Sequence, residues 1–150
     1  MTTAAGCMVF GVGNDLHSDD GIGPFIAKTL KKQGFSAYNC ATAPENFTSL
    51  VRRQHPDLLI IADAAMMGKE PGTVCRIPED KIPDTAIGTH MLPLSHLVRF
   101  LQEDAGQVVV IGIQPASLDD GDELSPAVAD AASRVIAAIA EGTVEQIPLL

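Results

Sequence analysis

Three short, unbroken apolar runs most constrain what this chain can fold into. CMVFGV (7–12), LLIIA (58–62) and QVVVIGI (107–113) lack polar alternation, so each reads as a strand buried on both faces. Such strands need helices on either side of the sheet, and segments of helical spacing lie between them. Ile22, Phe25, Ile26 and Leu30 keep that spacing from Ile22 to Lys32, with Lys31 and Lys32 in the last turn and Gly34 as a stop. Further helices are predicted at about 46–54, 94–104 and 126–141, the last with Ser125 as its cap and Pro126 in its first turn. Weaker strands read at roughly 35–40 and 72–77, the second at an edge. Pro78 and Pro83 break the chain into a loop, and the tail after Gly142 is expected to be loose. The 150 residues thus read as a single α/β domain, a three-layer sandwich whose mostly parallel, twisted sheet carries helices on both faces.

Charge narrows the function. A formal net charge of −9 argues against nucleic acid and anionic membranes, which are held by Lys and Arg. No apolar run approaches the roughly 20 residues of a membrane span, and the N-terminal stretch lacks the basic region of a signal peptide. Cys7, Cys40 and Cys75 form no C-x-x-C pair and read as reduced core thiols of a cytosolic protein.

The loop after the first strand, GVGNDLHSDDGIGP, raises the question of its ligand. A dinucleotide fingerprint would need a third glycine where Leu16 stands, and no Gly-Lys-Ser/Thr occurs in the chain. Asp15, Asp19 and Asp20 would repel a pyrophosphate. A cation fits better. In open α/β sheets, ligands bind beyond the carboxyl ends of strands. That edge collects Asp19-Asp20, Asp63 at the end of the second run, and His90 ahead of a predicted helix. Two carboxylates and an imidazole suit nickel, zinc or manganese. Spacing alone also allows Asp63 to cap a turn, Asp19 or Asp20 to cap the helix near Gly21, and His90 to be an ordinary loop residue. His17, His55 and His96 read as structural or solvated, and the acidic run 119–123, which lacks EF-hand spacing, as a solvated loop.

Together the segments resemble the [NiFe]-hydrogenase maturation endopeptidases. The resemblance is carried by Gly11-Val12-Gly13-Asn14-Asp15-Leu16 through Asp19-Asp20-Gly21-Ile22-Gly23-Pro24, then Ala43-Pro44-Glu45-Asn46 and Ile61-Ala62-Asp63-Ala64 with Met67-Gly68. Thr89-His90-Met91-Leu92-Pro93-Leu94 and Gly112-Ile113-Gln114-Pro115 complete it, and the last segment looks most like the branch serving hydrogenase 3 of formate hydrogenlyase. The resemblance implies a cytoplasmic, nickel-dependent endopeptidase, expected as a monomer. It would remove the C-terminal extension of a hydrogenase large-subunit precursor after nickel insertion. By motif, Asp20, Asp63 and His90 would bind the nickel carried by that precursor, a site zinc could fill in vitro, with Asp19 a neighbour. One departure stands out: family members commonly carry an Asp followed two residues later by Gly where this chain has Asn39 and Ala41. The alternative is a non-cleaving nickel checkpoint or chaperone that binds the same precursor.

Overall fold

The computed structural model describes residues 6–86 and 93–150. Strands β1 (Cys7–Val12), β2 (Ser36–Ala41), β3 (Leu58–Ala64), β4 (Val74–Arg76) and β5 (Gln107–Ile113) form one sheet in the order β2-β1-β3-β5-β4. All neighbours are parallel except β4, which pairs antiparallel with β5 at the edge. Helices α1 (Ile22–Lys32) and α5 (Pro126–Glu141) cover one face, where Ile26, Leu30, Val128 and Val135 pack on Val9, Ile60 and Ile111. Helices α2 (Thr48–Gln54), α3 (Ile82–Thr85) and α4 (Leu94–Leu101) cover the other, around Met8, Phe10, Leu59 and Ile61. This is the expected three-layer arrangement, and none of the described helices is long and apolar enough to cross a membrane.

Glycines set how closely α1 approaches the sheet. A Cβ on Gly11 would overlap the carbonyl oxygen of Gly23, and one on Gly23 would overlap those of Val12 and Ala62. The first turn of α1 therefore rests directly on the carboxyl ends of β1 and β3, which is where its preceding loop must deliver any ligand group.

Several local expectations are corrected. Asp63 does not end β3, because Ala64 still pairs with Ile113. The region after Pro78 is not plain loop: a 3₁₀ turn at Glu79–Lys81 leads into α3, with Pro83 tolerated in the first turn. Helix α4 stops at Leu101 rather than near 104. The tail is docked, not loose. Beyond the buried Val144, the Arg76 N–H donates to the Pro148 carbonyl (2.7 Å) and the Leu150 N–H to the Arg76 carbonyl (2.9 Å). Edge strand β4 would otherwise leave those groups unpaired, so the tail completes it.

The departure at Asn39 and Ala41 falls on an irregularity of β2. Gly11 pairs with Asn39 and Val12 with Ala41, so Cys40 is skipped. Ala41 takes a left-handed conformation (φ 49°), held by its own N–H to Asn39 Oδ1 (3.0 Å) and by the Gly13 N–H on its carbonyl (2.8 Å). Glycine is the residue this backbone favours. Ala41→Gly is therefore expected to raise stability by up to about 1 kcal/mol, the left-handed penalty of a Cβ less the added freedom of the unfolded chain. Paired thermal melts check this, and an unchanged or lower midpoint would show that the turn carries no strain.

The three cysteines are buried free thiols, in keeping with the sequence reading. Burial pushes the Cys7 thiol up to about 11, and burial together with the charge of Glu45 pushes Cys40 to about 12.

Candidate active site

The chain leaves β1 for β2 on one side and returns to β3 on the other, so the connections diverge between β1 and β3. Crevices at such reversals are where open α/β sheets bind ligands. Asp20 reaches this crevice from the loop after β1, and Asp63 reaches it as the penultimate residue of β3.

Backbone geometry fixes Asp20. Gly13 adopts φ 145°, and a Cβ there would overlap the Asp20 carbonyl oxygen, so only glycine lets the loop fold back this tightly. The Asn14 N–H then donates to Asp20 Oδ2 (2.9 Å), while Asn14 Oδ1 accepts from the Leu16 N–H (2.9 Å). A 3₁₀ turn at Ser18–Gly21 carries both acidic residues into α1.

Asp63 is 8% exposed and lies on the same strand face as Leu59 and Ile61. Burial first, and the charge of Asp20 second, hold its carboxyl well above the usual carboxylate range, against a lowering hydrogen bond from the Ala64 N–H. Two carboxyl groups that feel one another's charge at a buried position favour a proton or a cation there. A cation there would favour the ionised form of both, leaving two carboxylates as candidate oxygen ligands.

His90 lies outside the described residues. A cavity of about 20 Å³ beside Asp63 is lined by Ile82, Thr85, Ala86 and Leu94. Among the described residues no group of three or more potential ligands forms, so the described part of the candidate set is the Asp20–Asp63 pair.

Asp19 has a different role from its neighbour. Its carboxylate is fully buried and accepts from the N–H groups of Ala116 (2.8 Å), Ser117 (2.9 Å) and Ser125 (2.7 Å), and from the Ser125 hydroxyl (2.8 Å). Burial alone would raise its pKa, but these hydrogen bonds outweigh it and the net shift is downward. Ser125, expected as the side-chain cap of α5, makes no cap hydrogen bond and spends its hydroxyl on Asp19 instead. The loop bearing Asp20 is thereby tied to the loop after β5, with further bonds from Ser18 N–H to the Gly121 carbonyl (2.8 Å) and Gly121 N–H to the Leu16 carbonyl (2.9 Å).

Sequence reasoning left Gln114 and Glu45 without roles. Gln114 is buried at the end of β5, and its Oε1 accepts from the Met67 N–H (2.7 Å), bracing the segment that follows Asp63. A glutamine directly after an apolar strand was the available signal. Glu45 Oε2 is buried with no hydrogen-bond partner among the described residues. His17, His55 and His96 are exposed, as is the acidic run from Asp119 to Glu123.

These features define a doubly wound α/β protein with an acidic pair at the reversal of its sheet. Comparison with known proteins then places it: the hydrogenase maturation protease profile matches residues 26–142. The hydrogenase 3 maturation protease of Escherichia coli K12 is 38% identical over 108 residues, 69% of each chain. The solution structure of the endopeptidase HycI from Escherichia coli superposes with a TM-score of 0.86 at 30% identity, covering 100% of this chain and 97% of that one. HycI from Thermococcus kodakarensis KOD1 gives 0.79 at 31% identity, with 91% of each chain covered. The chain belongs to the hydrogenase maturation protease family.

Proposed function

We propose that this protein removes the C-terminal extension of a [NiFe]-hydrogenase large-subunit precursor after nickel has been inserted, and that Asp20, Asp63 and His90 recognise the nickel the precursor carries. The observation that carries this reading is the buried Asp63 carboxyl near the end of β3 at the sheet reversal, under the charge of Asp20 from the loop after β1. Two oxygen donors and an imidazole suit a borderline divalent ion and leave coordination positions for groups the precursor brings. The ion would anchor the large subunit and set the scissile bond against the site. Being cargo, it would leave with the product.

Ala41 bears on the non-cleaving alternative. The residue replaces an expected glycine yet keeps the left-handed backbone, and Asn39, which gives up the expected carboxylate, still supplies the oxygen that holds the Ala41 N–H, so the path of the chain there stays in place. That favours a working peptidase over a checkpoint that only binds.

The test is to mix the protein with nickel-loaded and nickel-free precursor and weigh the products by mass spectrometry. Loss of the C-terminal peptide only from the nickel-loaded form is expected. Stable binding without any loss of mass would leave the checkpoint standing and remove the peptidase. Asp20→Asn and His90→Ala are each expected to abolish cleavage; full activity in either removes that residue from the site.

A further inference from the structure

The loop that carries Asp20 also builds a second feature, just outside the acidic pair. Helix α1 buries Ile22, Ile26 and Leu30 completely but leaves Phe25 46% exposed, and Leu16 beside it is 67% exposed. The chain holds six aromatic residues, five Phe and one Tyr, so a half-exposed Phe is not surplus from an aromatic-rich core. Between Leu16 and Phe25 lies a cavity of about 240 Å³, walled by Gly21, Pro24 and Leu124. Asp15, Leu16, Ser18 and Gly21 of its lining belong to the loop that carries Asp20, and Gly21 directly follows that residue, so the cavity opens on the same loop as the candidate site.

The rim is already fixed in the free chain. The Leu16 N–H donates to Asn14 Oδ1 and the Leu16 carbonyl accepts from Gly121, so little ordering remains for a partner to supply. Around it the charge is acidic. Lys28 is matched by Asp15 at 3.6 Å and Asp120 faces His17 at 3.6 Å, while Asp122 lines the cavity and its chain neighbours Asp119 and Glu123 are exposed. An apolar centre with a charged rim is the anatomy of a protein interface.

We propose that this cavity docks the large-subunit precursor, receiving one apolar side chain from a basic patch on its surface beside the segment to be cut. The proposal rests on the peptidase reading for the identity of its partner. Proximity to Asp20 and the acidic rim argue for that occupant. Docking here would hold the precursor while its metal reaches the site, so the surface contributes to affinity and KM.

The test uses the full chain carrying Leu16→Ser with Phe25→Ser, and Phe100→Ser as a control, since Phe100 is 48% exposed and lies on α4. Binding to nickel-free precursor is measured alongside KM for nickel-loaded precursor. The double variant is expected to melt like the wild type, to bind about tenfold more weakly or worse, and to show KM raised to match, while the control binds normally. Wild-type affinity and KM in the double variant overturn the proposal, as does equal weakening by Phe100→Ser. A wild-type dimer that the double variant splits also overturns it, since a second copy of this chain would then be the occupant. Should the wild type bind but never cleave, and the double variant lose that binding, the docking surface stands and the peptidase reading falls.

Discussion

Asp63→Asn is expected to abolish cleavage and at the same time raise the melting temperature of the metal-free protein near neutral pH. The carboxyl is buried beside Asp20, and its pKa in the folded chain is raised well above the ordinary value. A carboxylate of this kind binds a proton more readily folded than unfolded. Stability therefore falls as pH rises from the unfolded value of about 3.9 through the raised folded value, then levels off. Asparagine keeps an acceptor for the Ala64 N–H and removes the charge, so the variant escapes that loss. The midpoint difference between variant and wild type should be small near pH 4 and grow toward neutrality. A variant less stable than the wild type at neutral pH, or a gap that does not change with pH, would show that Asp63 is not under electrostatic stress. Retained cleavage would remove it from the site.

The second large effect is expected at the adjacent aspartate. Asp19→Ala strands three backbone N–H groups and a hydroxyl that now converge on one buried carboxylate. Unsatisfied buried donors cost about 1–3 kcal/mol each, and these sit on exposed or half-buried residues that water reaches in part, so a net loss of about 3 kcal/mol is expected. For a chain of this size that is roughly 10 °C in Tm. Here the sign with pH is opposite to that at Asp63. A depressed folded pKa contributes stability above the unfolded value, which disappears as pH falls through the folded one. Calorimetry checks both; a loss below about 1 kcal/mol would mean that water replaces the carboxylate at little cost.

Asp19 and Asp20 also show where the sequence stops being legible. Consecutive residues on a 3₁₀ turn point about a third of a turn apart, so two identical side chains meet different surroundings. One enters the protein and the other faces the crevice. The donors that claim Asp19 lie at Ala116, Ser117 and Ser125, far along the chain, and nothing local announces them. For the same reason Ser125 looked like a helix cap: local spacing favours that use until a distant carboxylate competes for the hydroxyl.

The regular elements were far more readable. β1, β5, α1 and α5 fall on the predicted spans, because continuous apolar runs and 3.6-residue periodicity mark burial directly. The docked tail was invisible, since its partner is the free edge of a three-residue strand that the sequence defines only weakly. The strand-end rule gathers Asp19-Asp20, Asp63 and His90, the motif resemblance selects Asp20 from the first pair, and in the structure the charge of Asp20 acts on Asp63.

The buried thiols bear on which atoms can compete for a metal. Thiolate sulfur would outbid carboxylate oxygen for nickel or zinc, but a thiol must first lose its proton and be reached. Cys7 and Cys40 are held protonated at about 11 and about 12, and Cys75 is sealed in the core. The folded chain is thus a poor scavenger of free soft metal, and an ion at the proposed site would meet two carboxylates and an imidazole, which grip it more loosely than thiolates. For a protein that would inspect a metal belonging to its substrate and then let it go, weak retention is an advantage.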